Sequence, residues 1–354
     1  MLLSSFSYKT SGWELVEMSS LHLTNLLVGK NASGKTRTIK ALQSVTSYLQ
    51  TAPMVPSAVS FKTRLSFVEP GDEAWVLSYE FDVANGKVQK EVLSVCGNML
   101  VKRDQNRALF NGEIINPPND KLTVQVRRDR EAYPEIEKLM TWAEGVVAIS
   151  CSDIIPLTLL RGLMGRTNPL SFGKLVKALT KEERKHVLIT AKRLGYNLVE
   201  IAPFDAGSDL ELVAVKERFT QTTLLDFQLS SGMLRVLYIL CFLQYIKHGR
   251  NSILLIDDLG EGLDYNRVTL LGQMVYEECE DANLQLIASS NDSFLMDVVD
   301  ISKWQILRRA HSKLSVLNQT NSPALFREFR MTGLSNFDLF SSDFIDNYFV
   351  RNQG

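Results

Sequence analysis

A short loop near the N-terminus carries the residues whose chemistry is easiest to infer from type and spacing. It fits the pattern G-x-x-x-x-G-K-[ST] and consists of Gly29, Lys30, Asn31, Ala32, Ser33, Gly34, Lys35 and Thr36. Its glycines allow backbone amides to turn toward phosphate oxygens, and the helix-like run that follows would add its positive N-terminal end. Lys35 would reach the outer phosphates and the Thr36 hydroxyl would bind Mg²⁺. Since an apolar, strand-like run precedes the loop, the motif predicts a nucleotide-binding chain.

Two carboxylates follow a second apolar run and form the next candidate site. The run 253–256 is continuously apolar, and Asp257 and Asp258 come directly after it. Such a run is typical of a buried parallel strand, whose carboxyl end opens on a ligand site. One aspartate there could also cap a helix or a turn, but the phosphate loop upstream favours magnesium binding. We therefore expect Asp257 to bind the metal, directly or through water, and Asp258 to orient or deprotonate the attacking water.

A third small-residue loop, Leu229-Ser230-Ser231-Gly232, precedes a long apolar helix. Taken alone, Ser230 or Ser231 is a helix cap. The chain already has one phosphate loop, so a second phosphate-binding helix N-terminus could bind the nucleotide of another copy. The simplest arrangement is that two copies meet face to face and that each completes the nucleotide site of the other. The loop therefore predicts a homodimer.

Together these motifs resemble those of the ABC-type ATPases, in the soluble branch related to the RecF, SMC and OLD-family ATPases. Four motifs match in order: the phosphate loop, the signature loop 229–232, the Walker B strand 253–258 and a D-loop-like Gly260-Glu261-Gly262-Leu263-Asp264. A predicted strand at 284–288 then leads to Asn291, where the family usually has its switch histidine. The resemblance implies ATP and Mg²⁺ as cofactors. It also implies a dimer that sandwiches ATP with Ser230, Ser231, Gly232 and Asp264, with a higher oligomer left open.

Two departures from the family pattern concern catalysis, which the resemblance assigns to Lys35, Asp258 and Asn291. The family's catalytic glutamate is here Asp258, which is one methylene shorter, and Asn291 cannot shuttle a proton near neutral pH. A displacement of about 1 Å in a catalytic group can cost a hundredfold in rate. We therefore expect slow hydrolysis, with ATP acting largely as a dimerisation switch. Glu261 is a weaker candidate base, because it lies three residues past the carboxylate pair, and no glutamine is assigned to the family's Q-loop.

Composition is that of a soluble globular protein, with 45% hydrophobic and 22% charged residues in a chain of 354. The net charge of −1 gives no global sign of a nucleic-acid or membrane partner. Basic runs at 127–130 and 181–186 could contact nucleic acid or a partner, but they are more typical of solvated surfaces. Arg308 and Arg309 could face a nucleotide or a partner, but an exposed hairpin is favoured. The four histidines lack metal-ligand spacing and the four cysteines lack a C-x-x-C pair. These features predict a reduced, cytoplasmic protein that does not span a membrane.

The predicted fold is an α/β ABC-type P-loop ATPase head with an inserted antiparallel β-sheet and a helical lobe. Coiled-coil arms are not expected, because the sequence has no heptad run. The predicted core is formed by 1–50 and 196–325, the inserted sheet by 59–130, and the helical lobe by 131–195. The Phe-rich tail, 326–354, is expected to pack on the core or on a partner.

The motifs and the resemblance favour a nucleotide-switched dimer that senses nucleic acid or controls a separate effector, a nuclease or toxin, in anti-phage defence. Only about 50 residues follow the ATPase motifs, which is short for a further domain, so the effector is expected to be another chain. The alternatives are a RecF-like ATPase of DNA repair, the ATPase subunit of a transporter and a scaffold that binds ATP without turnover. The long insertion and the missing switch histidine disfavour the transporter.

Overall fold

The computed structural model describes residues 1–50, 60–154, 171–205, 207, 211–220, 222–249 and 252–351. The chain divides into two compact units. Unit 1 is Met1–Ile149, Asn251–Asp257 and Asn283–Gly354, and unit 2 is Ser150–Arg250 and Asp258–Ala282. Both units differ in outline from the predicted domains, since 131–149 belongs to unit 1 and 196–250 to unit 2. The predicted functional domains and their bounds stay a prediction.

The strands of the described residues are numbered here in chain order. They are β1 (Leu2–Thr10), β2 (Trp13–Met18), β3 (Thr24–Val28), β4 (Phe61–Glu69), β5 (Asp72–Ala84), β6 (Lys87–Val95), β7 (Asn98–Asp104), β8 (Arg107–Phe110), β9 (Glu113–Ile115), β10 (Val146–Ser150), β11 (Leu198–Asp205), β12 (Glu211–Glu217), β13 (Thr223–Leu225), β14 (Ile253–Asp257), β15 (Gln285–Ser289), β16 (Trp304–Ala310) and β17 (Lys313–Leu317).

The α-helices are numbered in the same way. They are α1 (Lys35–Gln50), α2 (Thr123–Val126), α3 (Pro134–Glu144), α4 (Phe172–Ala178), α5 (Lys181–Arg193), α6 (Ser231–Tyr245), α7 (Tyr265–Asp281), α8 (Ser293–Val298), α9 (Pro323–Thr332), α10 (Asn336–Ser341) and α11 (Phe344–Arg351). None of these described helices is long and apolar enough to cross a membrane. Residues 155–170 of the predicted helical lobe lie outside the described residues.

A large mixed sheet organises unit 1. Within the described residues its order is β10-β14-β15-β3-β16-β17-β2-β1-β4-β5-β6-β7-β8-β9. The strands β14, β15, β3 and β16 pair in parallel, and every residue of β3, β14 and β15 is buried. Burial on both faces explains why their sequences are continuous rather than alternating in hydrophobicity. Their carboxyl ends lie at one edge, as the sequence predicted.

The strands of the predicted inserted sheet, 59–130, are antiparallel and extend the same large sheet beyond β1. β4 pairs antiparallel with β1, with Phe6 opposite Leu65, and the strands to β9 follow as successive antiparallel neighbours. β1 pairs on its other side with β2. The backbone groups of β1 would be unpaired on one side without β4, and pairing them removes an open sheet edge. Hydrophobic periodicity predicts strands but does not reveal which distant strand pairs with each of them.

Helix α1 anchors the loop that precedes it. Its residues Ile39, Leu42, Val45 and Leu49 recur at helical spacing and are all buried. They join a core cluster that includes Phe67 and other side chains of the sheet. A face buried in this way stabilises a helix more than intrinsic propensity does. The N-terminus of α1 is therefore held at the edge where β3 ends.

Unit 2 contains the helices α4 to α7 and the small antiparallel sheet β11-β12-β13. Helix α5 starts with a capping box, in which Glu183 N donates to Thr180 Oγ1 at 3.2 Å and Thr180 N donates to Glu183 Oε2 at 2.7 Å. Helix α6 is buried along most of its length, from Leu234 to Gln244, which explains why it is apolar on nearly every face.

The C-terminal segment belongs to unit 1. Helix α9 buries Leu325, Phe326 and Phe329. Helix α11 buries none of its described side chains. Phe344 contacts Phe329 edge to face, with ring centroids 5.4 Å apart. The segment is therefore packed firmly at α9 and lightly at α11.

Candidate functional site

The phosphate loop connects the buried strand β3 to α1, as the motif predicted. Ala32 has φ 62° and Gly34 has φ 110°, so the backbone is left-handed at two places within the loop. A Cβ on Gly29 would overlap the Ser33 hydroxyl and would lie 3.0 Å from the carbonyl oxygen of Leu307. The loop is thus closely packed around Gly29, and a larger residue there would collide with Ser33 and with the backbone of β16.

Lys35 lies inside this loop and is only 6% exposed. Its Nζ donates to the carbonyl oxygen of Gly29 at 2.6 Å and lies 3.5 Å from that of Lys30. The ammonium group is therefore held among carbonyl oxygens of the loop, with which phosphate oxygens would compete as charge-assisted partners. Ser33 Oγ is buried and has no hydrogen-bond partner among the described residues. A buried hydroxyl without a partner is costly, and a phosphate oxygen would provide one.

Asp257 is the last residue of β14 and is 2% exposed. Its Oδ1 accepts hydrogen bonds from Thr36 Oγ1 at 3.2 Å and from Ser289 Oγ at 2.7 Å. Carboxylate and hydroxyl oxygens are ligands that suit Mg²⁺, which also keeps several waters and binds substrate phosphates. The described residues contain no group of three or more His, Cys, Asp or Glu that could hold a metal ion. The carboxylate of Asp257 and the hydroxyl of Thr36 are ligand types that fit a magnesium ion.

Ser289 was not identified from the sequence as part of this site. It ends β15, which pairs in parallel with β14 on one side and β3 on the other. Parallel neighbours bring their carboxyl ends to one edge, so a polar residue that ends the next apolar strand was the available signal. Ser289 fixes the orientation of a buried carboxylate.

We expect Ser289→Ala to lower the free energy of unfolding by about 2 kcal/mol, because it removes a buried hydrogen bond to a charged group. Urea denaturation measures this change. Ser315→Ala is the matched control, since Ser315 Oγ is exposed and donates at 3.2 Å to the carbonyl oxygen of Arg308. Equal denaturation midpoints for the two variants would contradict the role given to Ser289.

Asp258 adopts a left-handed backbone conformation, with φ 57°. Aspartate and asparagine enter this region more readily than most residues with a side chain. The left-handed backbone therefore gives a conformational explanation for aspartate at position 258, and the sequence did not reveal it. Asn291 lies exposed in the turn after β15, next to Asp292, which caps α8. Their catalytic roles stay predictions.

The signature loop and the D-loop-like segment approach each other within unit 2. Ser230 caps α6 by accepting from Met233 N at 3.3 Å, and Asp264 caps α7 by accepting from Arg267 N at 3.2 Å. A Cβ on Gly232 would lie 3.3 Å from the carbonyl oxygen of Gly262. The glycine thus permits close approach of the two loops.

Arg235 fixes this arrangement and was not singled out in the sequence. Its Nη1 donates to the carbonyl oxygen of Glu261 at 2.9 Å, and its Nε donates to that of Cys151 at 2.8 Å. A Cβ on Gly262 would clash with the Arg235 guanidinium group. An arginine on an otherwise apolar helix was the signal that could have revealed this role.

Arg309 lies in the β16–β17 hairpin, where the sequence placed it, and also contacts the phosphate loop. Its Nη1 donates to the carbonyl oxygen of Ala32 at 3.2 Å, and its Nε donates to that of His311 at 2.9 Å. The strand β16, which carries both arginines, pairs in parallel with β3. Arg309 therefore helps to hold the left-handed turn of the phosphate loop.

Comparison with protein families gives one match within unit 2 and its flanks. A family model described as "AAA domain, putative AbiEii toxin, Type IV TA system" matches residues 174–297. That range contains the signature loop, Asp257 and the D-loop-like segment, but not the phosphate loop. No curated protein matches the chain significantly.

Solved structures of SMC heads resemble the chain over most of its length. An SMC head bound to the C-winged helix domain of ScpA is 11% identical and has a TM-score of 0.55, with 90% of this chain and 97% of that one covered. A Pyrococcus furiosus SMC head with an extended coiled coil, bound to the C-terminal domain of ScpA, is 10% identical with a TM-score of 0.51 and coverage of 93% and 99%. The Thermotoga maritima SMC head domain is 10% identical with a TM-score of 0.48 and coverage of 90% and 99%. The two higher scores show a shared fold.

Proposed function

We propose, from the premise that this chain has the fold of an ABC-type ATPase of the soluble RecF, SMC and OLD-like branch, that it binds ATP with Mg²⁺ and hydrolyses it slowly. The observation that carries the proposal is the convergence of Lys35, Thr36 and Asp257 at the ends of β3 and β14. Thr36 and Asp257 are hydrogen-bonded at 3.2 Å, although 221 residues separate them in sequence. A phosphate cradle beside a buried carboxylate is the arrangement that nucleotide hydrolysis requires.

Each side chain has a distinct task in this reaction. The ammonium group of Lys35 would balance the negative charge on the outer phosphates, while Thr36 and Asp257 would hold Mg²⁺. A bound Mg²⁺ would supply further neutralisation of phosphate charge. Asp258 would orient a water and accept its proton as the new bond to the γ-phosphorus forms and the bond to ADP breaks. Asn291 would donate a hydrogen bond, but it cannot take up that proton.

A second copy of the chain would complete the site. The N-terminus of α6 presents backbone N–H groups next to Ser230, Ser231 and Gly232, and such an end attracts anions. Because Arg235 and Gly262 hold this loop against the D-loop-like segment, the two would move together toward a partner's nucleotide. ATP would thus bridge two protomers, and its hydrolysis would release them.

The ATP-dependent dimer is tested by light scattering after size-exclusion chromatography. We expect ATP with Mg²⁺, but not ADP, to convert monomers to dimers, most clearly in Asp258→Asn, where slower hydrolysis would preserve the bound ATP. In that background Ser231→Arg should abolish dimerisation and leave ATP binding intact, because the added side chain would occupy the site of the partner's phosphate. Ser44→Arg, at an exposed position of α1, is the control and should still dimerise. A monomer under saturating ATP would refute the dimer proposal.

The proposed biological role is control of a separate effector, a nuclease or toxin, in anti-phage defence. The matching family model is described as a putative toxin of a toxin–antitoxin system, and two SMC heads of similar fold are described as bound to ScpA domains. Both descriptions support a chain that works with a partner. Affinity purification of the wild type and of Lys35→Ala, with and without ATP, would identify a partner whose binding depends on nucleotide. Stimulation of hydrolysis by DNA would instead favour a RecF-like role in DNA repair.

A further inference from the structure

Helix α11 lies beside the phosphate loop, and the proposed function gives it no role. Lys30, the second residue of the loop, donates from Nζ to Asp346 Oδ2 at 3.1 Å. The same ammonium group lies 3.7 Å from Oδ1 of Asp343, at the start of the helix. Two carboxylates of the C-terminal segment therefore face one lysine of the predicted nucleotide site.

A second contact joins α11 to the end of β16. Arg308 Nη2 lies 3.5 Å from Asp346 Oδ1, and the Arg308 guanidinium stacks over the Phe349 ring at 4.5 Å. Asp346 thus bridges the phosphate loop and the neighbouring strand. Around it lies a cavity of about 680 Å³, lined by the loop residues from Gly29 to Ser33, the end of β16 and the start of α11. The helix forms one wall of a space that opens on the phosphate loop.

The attachment of α11 is weak enough to be reversible. The side chains of Lys30 and Asp346 are 63% and 51% exposed, and exposed ion pairs contribute little net stability. No described side chain of α11 is buried. The aromatic contact of Phe344 with Phe329 ties the beginning of the helix to α9. The ion pairs of α11 therefore add little stability, and a nucleotide could displace them by charge.

The charges at this contact oppose those of a nucleotide. The hydrogen bond to Asp346 raises the pKa of Lys30, so the lysine is charged and its charge is already balanced. Lys30 cannot fully balance a phosphate while it is paired with Asp346 and Asp343. The two carboxylates would also repel the phosphate oxygens directly, an effect that salt weakens.

We propose that α11 is an acidic cover of the phosphate loop, which lowers nucleotide affinity through Asp343 and Asp346 and is loosened when nucleotide binds. This inference rests on the proposed nucleotide-binding function. The occupant of the basic surface around Lys30 and Arg308 is thus a segment of the chain itself. A nucleotide competes with it by charge.

The affinity of the full-length protein for ATP tests the cover. We expect Asp343→Asn combined with Asp346→Asn to tighten ATP binding by about three- to tenfold at an ionic strength of about 20 mM. The gain should shrink at about 300 mM, where the Debye length is shorter. The control is Glu328→Gln, which removes an exposed carboxylate from α9 and should leave the affinity unchanged.

Hydrogen exchange gives an independent test of loosening. Amides of α11 should exchange faster in the wild type with ATP than without it, while those of α9 should not change. Equal ATP affinity of the wild type and the double variant at low salt, or unchanged exchange in α11, would overturn the cover. If the wild type binds no ATP at all, the proposed function fails first. If the wild type binds ATP and Lys35→Ala does not, the proposed function would hold even where the cover fails.

Discussion

Lys35→Ala is expected to weaken ATP binding by at least about a hundredfold. The Lys35 ammonium group is held within the phosphate loop, 2.6 Å from the carbonyl oxygen of Gly29. It would exchange that partner for phosphate oxygens, and a charge-assisted hydrogen bond contributes about 1.5–3 kcal/mol. Two such bonds account for the expected loss, since about 1.4 kcal/mol corresponds to a factor of ten. Isothermal titration calorimetry with ATP and Mg²⁺ measures it directly.

The matched control is Lys40→Ala, which removes an exposed lysine from the same helix. It should bind ATP like the wild type. Thermal unfolding of both variants would show whether the fold is intact, because Lys35 is largely buried and Lys40 is not. If Lys35→Ala binds ATP within about threefold of the wild type, the loop is not the phosphate cradle and the proposed function has lost its main support.

Asp258→Asn is expected to reduce ATP hydrolysis by about a hundredfold or more and to leave ATP affinity within a factor of about three. A positioned general base contributes about 10²–10⁴ in rate. Asparagine has the same size as aspartate and enters left-handed conformations readily, so the turn at φ 57° should be kept. The amide cannot accept the water's proton, so binding and turnover should separate. Single-turnover measurements with radiolabelled ATP resolve the chemical step.

Glu261→Gln distinguishes the two candidate bases. The Glu261 side chain is exposed, and the backbone carbonyl of Glu261, rather than its carboxylate, accepts the hydrogen bond from Arg235. We expect this variant to hydrolyse ATP at the wild-type rate. The opposite pattern, with activity lost in Glu261→Gln and kept in Asp258→Asn, would identify Glu261 rather than Asp258 as the general base.

Local sequence patterns were sufficient to predict the parallel core strands and the loop between β3 and α1. β3, β14 and β15 are continuous apolar runs because both faces are buried, and burial on both faces is visible in a single sequence. The loop between β3 and α1 was predictable for a similar reason, since its glycine spacing reflects a local backbone conformation. Both signals depend on residues that are close together in the chain.

The features that were missed depend on residues far apart in the chain. The contact of Arg309 with Ala32 spans 277 residues, and that of Lys30 with Asp346 spans 316. Nothing in the composition of either segment identifies the other, because exposed charges are compatible with many partners. The left-handed turn at Asp258 was also hidden, since an aspartate after a strand suits several backbone conformations. The sequence therefore suggested only a catalytic consequence for the aspartate that replaces the family's glutamate at position 258.

The pairing of β1 with both β2 and β4 has a consequence for modularity. A lobe that is joined to a domain only by two connecting segments can be deleted or exchanged. The strands β4 to β9 differ, because β4 shares a backbone hydrogen-bond ladder with β1, which also pairs with β2. Excising them would leave the long strand β1 as a bare template for pairing with other molecules, which is a known route to aggregation. A shortened version of unit 1 would thus have to keep β4 or protect the edge of β1 from pairing. Evolution would meet the same constraint, so this lobe is expected to diverge at its far edge, near β9, rather than at its root.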